Sequence, residues 1–156
     1  MLYIGIDPGK HGALAVLNSD GTVRLLQPFD EYGYSVALAT LNDAVVCALE
    51  KVGAMPGQGV TSMFSFGDNF GFIRGLLAAY EIPYQLVPPA KWKKAFSVTA
   101  DKGSSITAAH RLFPSESLLR TECSRKPDDN IAEALLLAEY ARRNFSPLDG
   151  GAPCPF

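Results

Sequence analysis

Histidine is scarce in this chain. Only His11 and His110 occur among 156 residues, so a histidine-built metal site or a Ser-His-Asp triad has little to draw on. The three cysteines, Cys47, Cys123 and Cys154, are odd in number, far apart and without a Cys-x-x-Cys pair. That pattern argues against both a zinc site and a disulfide framework. No apolar run approaches the roughly 18 residues that a bilayer span needs. The opening MLYIGIDPGK lacks the basic segment and cleavage site of a secretory signal. The expectation is a cytoplasmic protein with no membrane partner. Excess charge is lacking too: the net is −2, which taken alone argues against a polyanionic partner.

The distribution of that charge is more informative than its sum. Residues 1–70 hold three Lys/Arg against seven Asp/Glu, a balance of −4. Residues 91–126 hold Lys91, Lys93, Lys94, Lys102, Arg111, Arg120, Arg125 and Lys126 against three acids, a balance of +5. A metal-binding acidic cluster beside a phosphate-binding basic face would produce this split. A solvated surface is the plainer account of any one of these lysines. Hydrophobic residues make up 47%, enough for a packed interior, and the length suits one domain.

Pattern along the chain predicts an α/β domain with a mixed sheet. Residues 2–7 (LYIGID), 12–18 (GALAVLN) and 22–27 (TVRLLQ) read as an antiparallel meander, with Ser19-Asp20-Gly21 as a hairpin turn. Residues 34–42 read as a short helix, and the apolar run 44–50 (AVVCALE) as a strand buried on both faces. A glycine-rich loop at 53–60 precedes a helix over 61–80. In that helix Phe64, Phe72, Ile73, Leu76 and Leu77 form the apolar face, and Gly67, Gly71 and Gly75 weaken it. A strand at 83–87, a helical turn at 90–96 and a helix over 102–112 capped by Asp101 follow. The last helix is predicted from Pro127, in its first turn, to Asn144. Residues 1–145 form the domain, and 146–156, rich in Gly and Pro, read as a flexible tail.

Four acids stand out. Asp7 ends the first strand, where open α/β sheets place ligand-binding groups, though Asp before Pro-Gly is also an ordinary turn residue. Glu50 ends the buried strand, where an unpartnered carboxylate is costly, so it meets a metal, Lys51 or another cation. Asp129 and Glu133 are four apart on the last helix and share a face, where like charges repel unless a cation lies between them. Asp128 is a competing ligand about 100° away around the helix. Attraction to the helix dipole accounts for Asp128 and Asp129 well and for Glu133 poorly. Phosphodiester hydrolysis needs an activated water, charge relief at phosphorus and help for the leaving oxygen. Two Mg²⁺ ions about 4 Å apart on carboxylates supply all three.

The segments GIDPGKHGALAVL (5–17), LEKVGAMPGQGVTSMFSFG (49–67), VPPAKWKKAF (87–96), ADKGSSITAAHRLFP (100–114) and KPDDNIAEALLLAEY (126–140) together resemble the RuvC-type Holliday-junction resolvases of phages and bacteria. These belong to the RNase H-like superfamily. The resemblance implies an RNase H-like mixed five-stranded sheet with helices on both faces. It implies Asp7, Glu50, Asp129 and Glu133 as catalytic metal ligands, with Asp128 able to assist or replace Asp129. It also implies two Mg²⁺ per active site with Mn²⁺ as substitute, no small-molecule cofactor, and a homodimer that nicks a four-way junction symmetrically. One departure is that bacterial RuvC usually carries two aspartates three apart in the last motif.

For DNA contact the candidates are Lys10, Gln58, Lys91, Lys93, Lys94, Lys102 and Lys126, since lysines grip phosphate without reading sequence. Gly57 and Gly59 would admit backbone close to phosphate. Phe64 and Phe66 could stack on unpaired bases, with Phe64 assigned to the core. Trp92 is read as a core anchor, and Phe70 and Phe72 as core or dimer interface. Other readings stay open. They are a flap, fork or RNA–DNA hybrid nuclease on the same fold, a non-catalytic DNA-binding module, and an actin-like phosphate loop at Gly5–Gly9. The last would need a second domain that 156 residues cannot hold.

Overall fold

The computed structural model describes residues 1–53, 57, 59–101 and 103–145. Strands β1 (Leu2–Asp7), β2 (Ala13–Asn18) and β3 (Val23–Pro28) form the antiparallel meander. On the other side of β1, β4 (Val45–Glu50) pairs parallel to it, and β5 (Tyr84–Val87) pairs parallel to β4. The order is β3-β2-β1-β4-β5, a mixed five-stranded sheet. Helices α1 (Glu31–Ala39) and α2 (Val60–Ala79) cross one face. Helices α3 (Pro89–Ala95), α4 (Gly103–Leu112) and α5 (Asp129–Asn144) cross the other.

Strand alternation divides the core into two layers. Leu2, Ile4, Ile6, Leu14, Val16, Cys47 and Leu49 point at α1 and α2. Ala13, Ala15, Val46, Ala48 and Val87 point at the α5 side. Burial on both faces is why β1, β2 and β4 read as continuous apolar runs. The α5 side is lined by small residues, so α5 comes in close. A Cβ on Gly5 would lie 2.1 Å from the backbone nitrogen of Ala138.

Several boundaries differ from expectation for local reasons. Helix α1 begins at Glu31 rather than 34, because Asp30 caps it by accepting from the Gly33 N–H at 2.6 Å. Helix α5 begins at Asp129 behind the cap residue Asp128, which leaves Pro127 outside the first turn. Helix α2 is unbroken through Gly67, Gly71 and Gly75, which face open space.

Phe64 is not in the core: it is 77% exposed. The 20 residues of α2 span about 30 Å, whereas the six-residue strands beneath span about 20 Å, so the first turns of the helix overhang the sheet. Packing of α2 on the sheet involves Phe70, Phe72, Ile73, Leu76 and Leu77. Among the described residues no helix is long and apolar enough to cross a membrane. The tail 146–156 lies outside the described residues.

Candidate active site

Parallel pairing brings the first two acids together. The register matches Ile6 with Leu49, so the next residue on each strand, Asp7 and Glu50, ends up at the same edge of the sheet. Each lies two residues beyond a small residue, Gly5 or Ala48, that faces α5, so alternation turns both carboxylates toward that helix. Both are largely withdrawn from solvent, at 7% and 9% exposure. Helix α5 presents its N-terminal end to this edge, with Asp129 in its first turn and Glu133 one turn on.

Asp7, Glu50 and Glu133 each sit within the electrostatic reach of other acids of this set. Burial, reinforced by Glu50, Asp129 and Asp128, pushes the Asp7 carboxyl up to about 7, although the Gly9 N–H bond works the other way. Burial likewise raises Glu50. The Trp92 bond and Lys93 oppose the rise, and Glu133 adds to it. Glu133 is raised by burial, with Lys93 opposing and Asp7 and Asp129 adding. Mutually repelling, desolvated carboxylates are the pattern expected of a cation site or a proton-handling site.

Asp128 is a different kind of group. It takes a bond from Arg120 Nε at 2.6 Å and from the backbone N–H groups of Asn130 and Ile131 at 2.9 and 3.3 Å. Burial pushes its pKa up, but these bonds outweigh burial and hold the carboxyl below its usual range. Its oxygens are committed to capping α5 and to pairing with Arg120. Arg120 also donates to the His11 carbonyl, which ties the loop after β1 to the start of α5.

Other residues hold the acids in place. Trp92, fully buried on α3, donates Nε1–H to Glu50 Oε1 at 2.9 Å, so the partner of Glu50 is an indole rather than Lys51. Next to it, Lys93 Nζ lies 3.5 Å from Glu133 Oε1. The Gly9 N–H donates to Asp7 Oδ1 at 3.1 Å. Asn69 on α2 steadies that turn by donating to the Gly9 carbonyl at 3.1 Å. The turn is folded tightly on itself: a Cβ on Gly12 would sit 2.0 Å from the Asp7 carbonyl oxygen. Arg120 and Asn69 carry no local sequence signal for these roles. Trp92 signalled burial only.

The donor set suits Mg²⁺ or Mn²⁺. It consists only of hard carboxylate oxygens, and no hydrogen bond from the described residues reaches Asp7 Oδ2 or Glu50 Oε2. Among the described residues no group of three or more His, Cys, Asp or Glu is closed enough to hold an ion as the side chains stand. The residues that would hold an ion are Asp7, Glu50, Asp129 and Glu133.

Of the DNA-contact candidates, Lys10, Lys91, Lys94 and Lys126 are exposed. Lys10 shares a groove with Thr61, Ser62, Ser65 and Phe66. Lys93 turns inward to the acids. Gln58 and Lys102 lie outside the described residues.

No family model and no curated protein matches the sequence. Solved structures do match. A Thermus thermophilus RuvC in complex with Holliday junction substrate superposes with a TM-score of 0.67 at 15% identity, covering 92% of this chain and 97% of that one. A second T. thermophilus RuvC structure gives 0.65 at 15% identity, with 92% and 96% coverage. The chain has the RuvC fold. The likeness is one of fold, a mixed five-stranded sheet with helices.

Proposed function

We propose that this protein is a metal-dependent, RuvC-type DNA endonuclease that resolves four-way junctions by paired symmetric nicks, acting as a homodimer with Mg²⁺ or Mn²⁺. The observation that carries this reading is the meeting of Asp7, Glu50, Asp129 and Glu133, from three distant parts of the chain, at one edge of a RuvC fold. Asp129 rather than Asp128 is the ligand in this reading, because Asp128 is engaged by Arg120 and the helix cap.

The bound ions would activate the attacking water and neutralise charge at the phosphate. The chain's part is to present deprotonated carboxylates at fixed positions. The indole of Trp92 orients Glu50, the Gly9 N–H orients Asp7, and the rigid start of α5 orients Asp129 and Glu133. The exposed Lys10, Lys91, Lys94 and Lys126 would take DNA phosphates, and Lys10 and its groove with Phe66 adjoin the Asp7 turn.

The test is cleavage of a synthetic mobile four-way junction with Mg²⁺, beside duplex, flap and RNA–DNA hybrid controls, using wild type and Glu50→Gln. Paired symmetric nicks from wild type, with Glu50→Gln binding the junction without cutting, support the proposal. Preference for a flap or hybrid would sink the substrate assignment and keep the chemistry. No cleavage with either metal would leave a DNA-binding role as the better reading.

A second expectation follows from the indole. Trp92→Phe removes the only hydrogen bond that the described residues make to the Glu50 carboxylate. Loss of an outer-shell bond of this kind lowers activity or metal affinity by about 10- to 100-fold. Cleavage rates, measured with circular dichroism to confirm folding, check this. A rate within twofold of wild type would show that the bond orients nothing.

A further inference from the structure

Consecutive residues of α3 address the two glutamates of the acid cluster in different ways. Trp92 is buried and donates to Glu50 Oε1 at 2.9 Å. The Lys93 ammonium stands 3.5 Å from Glu133 Oε1 and 5.1 Å from the centroid of the Trp92 ring. Its side chain keeps 36% of its exposure and that of Glu133 keeps 21%. Lys93 is the one lysine on α3 whose charge is turned onto the acids; Lys91 and Lys94 on either side of the turn are exposed.

The charge balance gives this lysine a job. Among the described residues no arginine pairs with Asp7, Glu50, Asp129 or Glu133, and Arg120 is engaged with Asp128. Lys93 therefore supplies the cation that offsets both Glu50 and Glu133. The pair is also weak. At 3.5 Å it is longer than a good charge-assisted hydrogen bond, and half-exposed ion pairs contribute little. A dication on several carboxylates outcompetes it. The ammonium already lies over the Trp92 ring, a contact that does not depend on Glu133.

We propose that Lys93 is a displaceable counter-cation: it neutralises Glu133 while the acid cluster is without metal, and gives up that carboxylate when a divalent ion binds. This rests on the reading of the acids as metal ligands. It differs from a phosphate-gripping role, which would act only when DNA is present.

The test is Mn²⁺ binding followed by electron paramagnetic resonance, without DNA, on full-length wild type, Lys93→Gln, Lys94→Gln and Asp7→Asn. Removing a competitor of this strength should tighten Mn²⁺ binding about two- to fivefold in Lys93→Gln. Lys94→Gln removes the same charge one residue away and should match wild type. Thermal melts add a second readout. Lys93→Gln should melt below wild type in EDTA and alongside it at saturating Mn²⁺. Equal or weaker Mn²⁺ affinity in Lys93→Gln overturns the inference, as does an equal gain in Lys94→Gln, which would mean a general field effect. If wild type binds Mn²⁺, Asp7→Asn does not and Lys93→Gln behaves like wild type, this inference alone fails. If wild type binds no Mn²⁺, the metal-site reading fails with it.

Discussion

Asp7→Asn protein is expected to melt several degrees above wild type in EDTA at pH 8, while cutting no junction above background. The reason is the environment that makes Asp7 useful. Burial first, then Glu50, Asp129 and Asp128, raise its carboxyl from 3.8 to about 7. A carboxyl whose folded pKa is raised keeps its proton longer in the folded state than in the unfolded chain. Below about pH 4 both states are protonated and the group costs nothing. Between about pH 4 and pH 7 the unfolded chain ionises first, so stability falls as pH rises, and above the folded pKa the full cost is present. Three pKa steps correspond to about 4 kcal/mol at most. In a domain of this size each 1 kcal/mol moves the melting temperature by about 2–4 °C. Asparagine keeps the Oδ1 acceptor for the Gly9 N–H and removes the charge. The gain should shrink to less than half at pH 5. Saturating Mn²⁺ should reverse the order, because only wild type gains the binding energy. Thermal melts at pH 5 and 8, with EDTA and with Mn²⁺, measure this. A variant less stable than wild type at pH 8 in EDTA would mean that Asp7 is neither desolvated nor crowded by like charge.

The four acids were legible because each sits at a place that a periodicity marks. β1 and β4 are continuous apolar runs, so their final residues, Asp7 and Glu50, stand out by polarity. A four-residue spacing put Asp129 and Glu133 on one helix face. What decides between Asp128 and Asp129 is not local. Both are acids at a helix start, and only Arg120, brought in from eight residues upstream, commits Asp128 to the cap. Lys91, Lys93 and Lys94 are alike in sequence, and their difference is helix phase relative to acids on other elements. The same holds for Trp92, whose polar partner lies 42 residues away. Phe64 shows the complementary limit. Helical period locates a face of α2 but not the point where the sheet beneath it ends. The start of α1 at Glu31, three residues before the expected 34, follows from Asp30, which caps the helix through the Gly33 N–H.

Gly5→Ala is expected to lower stability by at least about 3 kcal/mol, the upper end of the usual range for overpacking. The added methyl would meet the Ala138 nitrogen at 2.1 Å, the Ala134 carbonyl oxygen at 2.3 Å and the Leu137 carbonyl carbon at 2.7 Å. All three are helix backbone, so no rotamer change relieves the clash, and α5 has to lift from the sheet. That movement reaches the site. Asp7 and Glu50 stay with their strands, while Asp129 and Glu133 ride on the helix, so the gap between the two pairs widens. Mn²⁺ affinity should therefore fall even in molecules that remain folded. Gly71→Ala and Gly75→Ala supply the comparison. They add the same methyl where nothing lies within 4 Å, on the exposed side of α2. Removing glycine from a helix interior stabilises by about 0.5–1 kcal/mol, so these variants should gain where Gly5→Ala loses. Urea unfolding of the three variants gives the signs directly. A wild-type midpoint for Gly5→Ala would mean that α5 does not rest its backbone on β1, and the convergence of the two acid pairs would lose its structural basis.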